Sequence, residues 1–329
     1  MKIGEYVRDK NVLITGGTGS FGNQIASRLI ELEPNRIIIF SRDEKKQYDM
    51  QNKFEEYNGL LEFIIGDVRD YSKIHDAMKG VNIVYHAAAL KQVPNCELHP
   101  FEAVKTNVMG AENVRRAAIE NNVDVVVAVS TDKAVKPINV MGMTKSIQER
   151  IILNPNNGKY GTKFVCVRYG NVIGSRGSVI PFFKRRLEEN KYLPVTSNEM
   201  TRFLLTLDEA INLVFKATVE GQTRQLFVKK MPGCNILNLA EAMSEAITGR
   251  KDYPIKEVGI RPGEKIHEVL VSEEEMLRAI ETDDHYIIYP PGLLEKPKLK
   301  KQLREYTSNN TYMLRRDEII SLLKGKGWV

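Results

Sequence analysis

Cysteine is scarce in this chain of 329 residues: Cys96, Cys166 and Cys234 are the whole supply, and they lie far apart. An odd, scattered set excludes a complete disulfide framework and offers no metal-ligand spacing, so no metal is expected. Such usage suits a reducing compartment, and a cytoplasmic protein is expected. Met1–Asn11 is polar and charged, without the apolar core of a secretory signal. Long apolar runs are missing too. The longest, such as Val125–Val129, have the length of a buried strand and exclude a membrane span. Net charge is +6, yet no dense basic stripe exists. The short clusters Lys184–Arg186 and Lys296–Lys301 read first as solvated faces; a mild positive field that attracts a doubly phosphorylated molecule is the sharper reading. Nucleic acid is not an expected partner, because no recognisable module accompanies these charges. Repeats and low-complexity tracts are absent as well.

What is present is ordinary globular material, 27% charged and 42% hydrophobic, enough for one large domain or two interleaved ones. The first half alternates expected strands (Asn11–Thr15, Arg36–Phe40, Leu61–Ile65, Asn82–His86, Val123–Ser130, Lys163–Arg168) with expected helices (Gly19–Glu31, Arg42–Tyr57, Ser72–Lys79, Glu102–Asn121, Thr144–Asn154). Strands separated by helices of this length form a doubly wound parallel (Rossmann) sheet of the α/β class. The near-continuous apolar run at 123–129 agrees, since both faces of such a sheet are covered. After Arg168 the rhythm breaks. Helices are expected at Val179–Glu189, Asp208–Glu220, Asn238–Thr248 and Arg315–Leu323, and loops at Gly174–Gly177 and Pro290–Lys300. We expect residues 1–170 to bind a dinucleotide, with some later segments returning to that domain. Residues 171–329 are expected to form a smaller α/β substrate domain over the sheet's carboxyl edge.

The dinucleotide follows from Val12–Gly22, VLITGGTGSFG. An apolar strand ends in Gly16, Gly19 and Gly22 and opens at once into a helix. That pattern brings bare backbone and helix-start amides against a pyrophosphate. Packing alone is the bland alternative for such glycines. The second expected strand ends at Ser41-Arg42, where a bare ribose would meet an acidic residue; a hydroxyl and a guanidinium suit a 2′-phosphate. NADP is therefore expected over NAD, with Asp43 and Glu44 nearby as the contrary sign. Asp67, after the third strand, suits an adenine amino group. Ala87, Ala88 and Ala89 after the fourth let backbone pass close to ribose, and His86 reads as a packed strand-end residue.

The fifth strand ends at Thr131-Asp132-Lys133. A nicotinamide enzyme of this plan is expected to carry a Tyr one helical turn before a Lys, the phenolate serving as base. Lys145 is present, but Met141 stands where the Tyr should be, and a thioether accepts no proton at neutral pH. Either the chain binds a dinucleotide without catalysis, or the base has moved to Asp132 or Lys133.

The sequence resembles the extended short-chain dehydrogenase/reductase superfamily, and within it the nucleotide-sugar 4,6-dehydratases of polysaccharide biosynthesis that act on UDP-N-acetylglucosamine. The carriers are Ile14–Gly22, Phe40–Lys46, Gly66–Asp70, His86–Pro94, Lys105–Asn107, Ser130–Lys133, Arg168–Val172, Ser175–Pro181, Met200–Phe203 and Arg261–Lys265. The tail Tyr306–Thr311 looks like that of capsule-type members, some of which also carry Met for Tyr. The resemblance implies a lyase with tightly bound NADP regenerated at each turnover, and a homo-oligomer, dimer to hexamer. It adds Thr18, Ser20, Phe21, Lys45, Val68 and Asn107 to the cofactor site, which Lys145 shares. The implied chemistry removes hydride from sugar carbon 4, then the carbon 5 proton to neutral Lys133, then the 6-hydroxyl with a proton from Asp132. Asp132, or Thr131 relaying to Lys145, is left to deprotonate the 4-hydroxyl.

On the substrate side the resemblance implies a UDP-sugar. Asn171 and Arg202 would meet phosphate, Ser178, Val179, Pro181 and Phe182 would surround uracil, and Arg261 and Glu264 would clamp diphosphate and ribose. Thr196 joins this set, and Lys91 would reach the sugar or nicotinamide. A 4-epimerase of the same superfamily is the alternative enzyme, and a non-catalytic dinucleotide-binding regulator the alternative outside enzymes. Inversion or retention at carbon 5, the glycan served and the role of the tail are not readable.

Overall fold

The computed structural model describes residues 1–292 and 304–329. Most of the expected loop Pro290–Lys300, and all of the Lys296–Lys301 cluster, lie outside the described residues. Six parallel strands come first: β1 (Asn11–Thr15), β2 (Arg36–Ser41), β3 (Leu61–Ile65), β4 (Ile83–His86), β5 (Val125–Thr131) and β6 (Lys163–Tyr169). The sheet continues with Leu226–Lys229, parallel to β6, and then with His285–Ile288 and Ala279–Glu281, which are antiparallel. Strand order across its nine strands is Ala279–Glu281, His285–Ile288, Leu226–Lys229, β6, β5, β4, β1, β2, β3. This is the doubly wound Rossmann sheet, and β1 lies between β2 and β4, where the order of the chain reverses. Such a reversal opens a crevice at the carboxyl ends of the strands.

The strands hold because both faces are covered. Val125–Ala128 are fully buried, as are Val12, Leu13 and Ile14. Helices Ser20–Ile30 and Leu207–Glu220 pack together on one face. The long expected helix Glu102–Asn121 is in fact Pro100–Ala103, a π-helical turn Val104–Met109, and Gly110–Glu120. A π turn re-aims side chains within a continuous helix, and here it carries Asn107 inward.

A second apolar core gathers Ile180, Phe183 and Leu187 with Leu239, Met243, Ile319 and Leu323. Its helices are Val179–Glu188, Ile236–Thr248 and Arg316–Lys324. Short strands Asn171–Val172, Thr201–Leu205 and Gly233–Asn235 form a small sheet beside it. Among the described residues, no helix is long and apolar enough to cross a membrane.

Candidate active site

Gly16 follows β1 with φ +67°, and its amide donates to Phe40 O at 2.9 Å. A Cβ at Gly16 would stand 2.9 Å from Ala88 Cα and Ala88 N. The loops after β1 and β4 therefore approach closely only because this residue lacks a side chain. The helix Ser20–Ile30 starts at Gly19, whose N-cap position makes no side-chain cap bond, so its first-turn amides are open to an anion. A Cβ at Gly22 would collide with the backbone of Gly17. This cradle fits a dinucleotide pyrophosphate. We expect Gly16→Ala to lower retention of nicotinamide dinucleotide at least about tenfold, through forced backbone movement at a positive φ. Equilibrium dialysis with the cofactor measures it, and wild-type retention would contradict it.

A cavity of about 430 Å³ opens beside the cradle. It brings together Gly16, Gly19, Ser20 and Phe21 with Ala87, Ala88, Ala89 and Lys91 after β4. The ends of β5 and β6 add Ser130, Thr131 and Lys133, then Tyr169, Gly170 and Asn171; Met141 and Lys145 reach it from the helix Val140–Ile152. Val172, Ser175, Arg176 and Leu207 close it.

Three carboxyl or amino groups meet behind its floor, and of these Lys133 lines the cavity. Thr131 ends β5, and its hydroxyl donates to Asp132 Oδ1 at 2.9 Å. Asp132 is completely buried, and its Oδ2 has no partner. Lys133 Nζ lies 3.0 Å from Asp132 Oδ1 and 3.2 Å from Glu268 Oε1. Arg202 Nε stands 3.7 Å from the same Glu268 oxygen. Burial drives the Asp132 carboxyl towards its neutral form, and the Glu268 charge adds to this against the pull of Lys133. For Lys133, burial favours the neutral amine, but Asp132 and Glu268 outweigh it and hold the ammonium charged. Burial also pushes Glu268 up, and Lys133 and Arg202 more than reverse that. A proton on Asp132 agrees with the sequence reading. A neutral Lys133 does not describe this arrangement. Glu268 is more than a hundred residues away along the chain, so local reading missed it.

Met141 lines the cavity and packs with Cys96 and Ala103. One turn on, Lys145 Nζ donates to Val129 O at 2.5 Å and Gln148 Oε1 at 2.8 Å. Burial lowers Lys145 to about 8. Tyr169 is the tyrosine of the lining, and burial pushes its phenol up, so it offers no activated phenolate. His86 is fully buried and shares a 2.8 Å bond with Thr15 Oγ1; burial lowers it to about 3, which keeps it neutral.

Other expected residues sit around this centre. Asn107 donates to Leu90 O and Thr144 Oγ1, each at 3.0 Å, and accepts from Leu90 N at 2.8 Å, fixing the loop after β4. Thr18 Oγ1 and Ser41 Oγ bond each other at 2.8 Å. Arg42 pairs with Asp67 at 3.5 Å, Lys45 with Asp49 at 3.0 Å, and Val68 is buried. Arg202 Nη1 is spent on Thr201 O at 2.7 Å and Ile266 O at 3.2 Å. Arg261 and Glu264 lie on an exposed turn with 4.0 Å between their charged atoms; Asn139 Nδ2 ties that turn to the helix start by donating to Gly263 O at 2.8 Å. Ser178 heads the helix Val179–Glu188, where Val179 and Phe182 pack on the second core and Pro181 lies in the first turn. Thr196 follows the strand Leu193–Val195. Sequence reading missed Glu268, Gln148, Tyr169, Arg176 and Leu207; periodicity carries no signal for such roles, although Gln148 lies only three residues from Lys145 on the same helix.

Residues 12–290 match the model of a family described as polysaccharide biosynthesis protein. A curated relative from Rickettsia canadensis, UDP-glucose 4-epimerase, is 47% identical over 96% of this chain and 95% of its own. The structure of Pen from Bacillus thuringiensis is 37% identical, with TM-score 0.92 over 98% of this chain and 99% of that one. The dTDP-glucose 4,6-dehydratase DesIV from Streptomyces venezuelae, solved with NAD and TYD bound, shares the fold at 17% identity and TM-score 0.72, covering 97% of this chain and 98% of that one. Solved dehydratase and epimerase relatives carry NAD. This overturns the expectation of NADP over NAD. In this structure Ser41 Oγ bonds Thr18 Oγ1, and the acidic Asp67 lies 3.5 Å from the half-exposed Arg42. The chain belongs to the polysaccharide biosynthesis protein family, among the extended short-chain dehydrogenases/reductases that comprise nucleotide-sugar epimerases and dehydratases.

Proposed function

We propose that the chain is an NAD-dependent enzyme that works from carbon 4 of a UDP-linked hexose and eliminates water across carbons 5 and 6, with UDP-N-acetylglucosamine as the substrate. The observation that carries it is Asp132, buried behind the cavity lining, driven towards its acid form and touching Lys133, which lines the cavity. A 4-epimerase needs no acid for a departing hydroxyl. Elimination needs one, and a base beside it.

Gly16, Gly19 and the first-turn amides of Ser20 and Phe21 would hold the pyrophosphate, and Lys145 the nicotinamide ribose. The chemistry that bound NAD supplies is acceptance and return of hydride. A ketone at carbon 4 acidifies the carbon 5 proton, and Lys133, the cavity-lining amine beside Asp132, would take it. For that, Lys133, held as the ammonium at rest, must first release its proton through the cavity to solvent, so that the pair enters the step with one proton, on Asp132. Asp132 then gives its proton to the 6-oxygen as the carbon–oxygen bond breaks and water leaves; the proton released by the 4-hydroxyl makes good that loss, and Lys133 gives a proton back to carbon 5. Lys91, Asn171 and Arg176 border the same space and would orient the sugar and diphosphate. Ser178, Val179, Pro181, Phe182, Thr196, Arg202, Arg261 and Glu264 remain proposals for the uridine side. The division at residue 170, cytoplasmic placement and a homo-oligomer belong to the same proposal.

The second reading is 4-epimerisation. The relatives at 45–47% identity are UDP-glucose 4-epimerases by name, which supports it better than elimination. Mass spectrometry of UDP-N-acetylglucosamine after incubation separates the two: loss of one water supports elimination, and a new isomer of unchanged mass supports epimerisation.

Met141 is a wall in either reading, because its thioether accepts no proton. Met141→Ala should cost about tenfold or less in kcat, against about 10²–10⁴-fold for Lys133→Ala, where an acid–base group is removed. Steady-state kinetics check it; equal losses would contradict the assignment.

A further inference from the structure

We propose that Glu268 is a positioning residue of this site, and that the tail Tyr306–Thr311 is the clasp that holds it against Lys133. The inference rests on the elimination reading for what Lys133 and Asp132 do, but not for the contacts themselves. Glu268 is 2% exposed and lies outside the cavity lining. Its Oε1 faces Lys133 Nζ at 3.2 Å and Arg202 Nε at 3.7 Å, while Oε2 has no partner. A buried carboxylate without a full set of partners is costly to keep, so its retention calls for a use.

The tail meets this segment strand to strand. Tyr306–Thr307 pairs antiparallel with Val269–Val271. Ser308, fully buried, then brackets Glu268: its amide donates to Glu268 O at 2.9 Å, and its Oγ accepts from Glu268 N at 2.9 Å. Ser308 Oγ also meets Thr201 Oγ1 at 2.7 Å, next to Arg202. Tyr306 and Thr311 anchor the ends, each hydroxyl donating to Met231 O, at 2.8 and 2.9 Å. The tail thus fixes the backbone of Glu268 and the start of the strand that carries Arg202.

The charged groups around Glu268 are Lys133, Arg202, Lys265 and, through Lys133, Asp132. Lys265 Nζ is bonded to Val135 O at 2.6 Å, and neighbouring His267 is held by Thr201 Oγ1 at 2.9 Å. Lys133 and Arg202 together balance the Glu268 charge, and Glu268 in turn favours the proton on both Asp132 and Lys133. Without the anion, both would release protons more readily.

The test is Glu268→Gln, with UDP-N-acetylglucosamine as probe. We expect kcat to fall about ten- to a hundredfold. Its pH profile should move to lower pH by about one pH unit, because both neighbours lose an anion. Glu268→Asp keeps the charge and should keep the wild-type position of the profile at reduced amplitude. A second readout needs no turnover. Asp132→Asn in the Glu268→Gln background removes the last carboxylate on Lys133, so the double variant should melt well below the sum of the single effects. Ser308→Ala should reproduce part of the kcat loss. A folded Glu268→Gln variant with an unmoved profile and additive melting would overturn the proposal, and full turnover in Ser308→Ala would remove the tail from it. Product mass keeps the two questions apart: an isomer from the wild type defeats elimination, while the pH shift of that same turnover still decides the role of Glu268.

Discussion

Asp132→Asn abolishes useful turnover, by about 10²–10⁴-fold in kcat, and leaves the fold intact. The amide is nearly isosteric with the carboxyl and still accepts from Thr131 and Lys133, which approach one oxygen at 2.9 and 3.0 Å. It cannot release a proton to a departing hydroxyl. Stability should move the other way. A group whose folded pKa is raised binds its proton more readily in the folded chain. Its contribution is therefore complete below the ordinary carboxylate value and lost as pH rises through the raised value. At neutral pH the buried carboxyl is thus a liability, and its replacement should leave the melting temperature unchanged or higher, since Glu268 still faces Lys133. Kinetics and thermal unfolding on one preparation measure both. A variant that keeps turnover would end the assignment of Asp132 as the acid. One that loses turnover together with its melting transition would make the residue structural.

Arg168→Met has the largest expected effect on stability, a loss of about 3–5 kcal/mol. Arg168 lies at the end of β6 and is 2% exposed. Its guanidinium meets Glu149 at 2.6 and 3.0 Å, Glu275 at 2.9 and 3.0 Å, and Leu270 O at 2.8 Å. It joins the sheet, the helix that carries Lys145, and the segment just after Glu268. Methionine fills the space and strands two carboxylates. The sign with pH follows from Glu275: burial raises it, but Arg168 overrides burial and holds it below the usual value. That stabilisation is present above the unfolded value and lost as pH falls through the lowered one. Without the arginine, burial raises Glu275, and the variant should be relatively least stable near about pH 7 and recover towards about pH 5. Urea unfolding at both pH values checks this; an equal loss at both would contradict it.

The first half of the fold was legible because its physics is local. Asn11–Thr15 and Leu61–Ile65 are strands at the expected residues, and the helix expected at Gly19–Glu31 spans Ser20–Ile30. Alternation of apolar strands with amphipathic helices suffices for a parallel sheet, and three glycines suffice for the turn. The π turn at Val104–Met109 was not legible, since nothing in the local pattern distinguishes it from α-helix. The antiparallel return of Ala279–Glu281 and His285–Ile288 depends on a sheet edge built by other segments. The site divides the same way. Thr131, Lys133, Met141 and Lys145 meet in one cavity, as strand ends and a helix start must. Glu268 and Ser308 could not be read, because their meaning comes from pairing with residues far off in sequence. The preference for NADP failed as well: it read Ser41 and Arg42 without their neighbours, and the fold sets Thr18 against Ser41 and an acid, Asp67, beside Arg42.

The central claim is that Asp132 and Lys133 drive an elimination from carbons 5 and 6. The most direct measurement is proton and carbon NMR of the product formed from UDP-N-acetylglucosamine in deuterated water. The account predicts a 4-keto-6-deoxy sugar with deuterium at carbon 5, because that proton passes to a side chain that exchanges with solvent. A 4-epimer that retains its 6-hydroxyl and carries no deuterium at carbon 5 would contradict it.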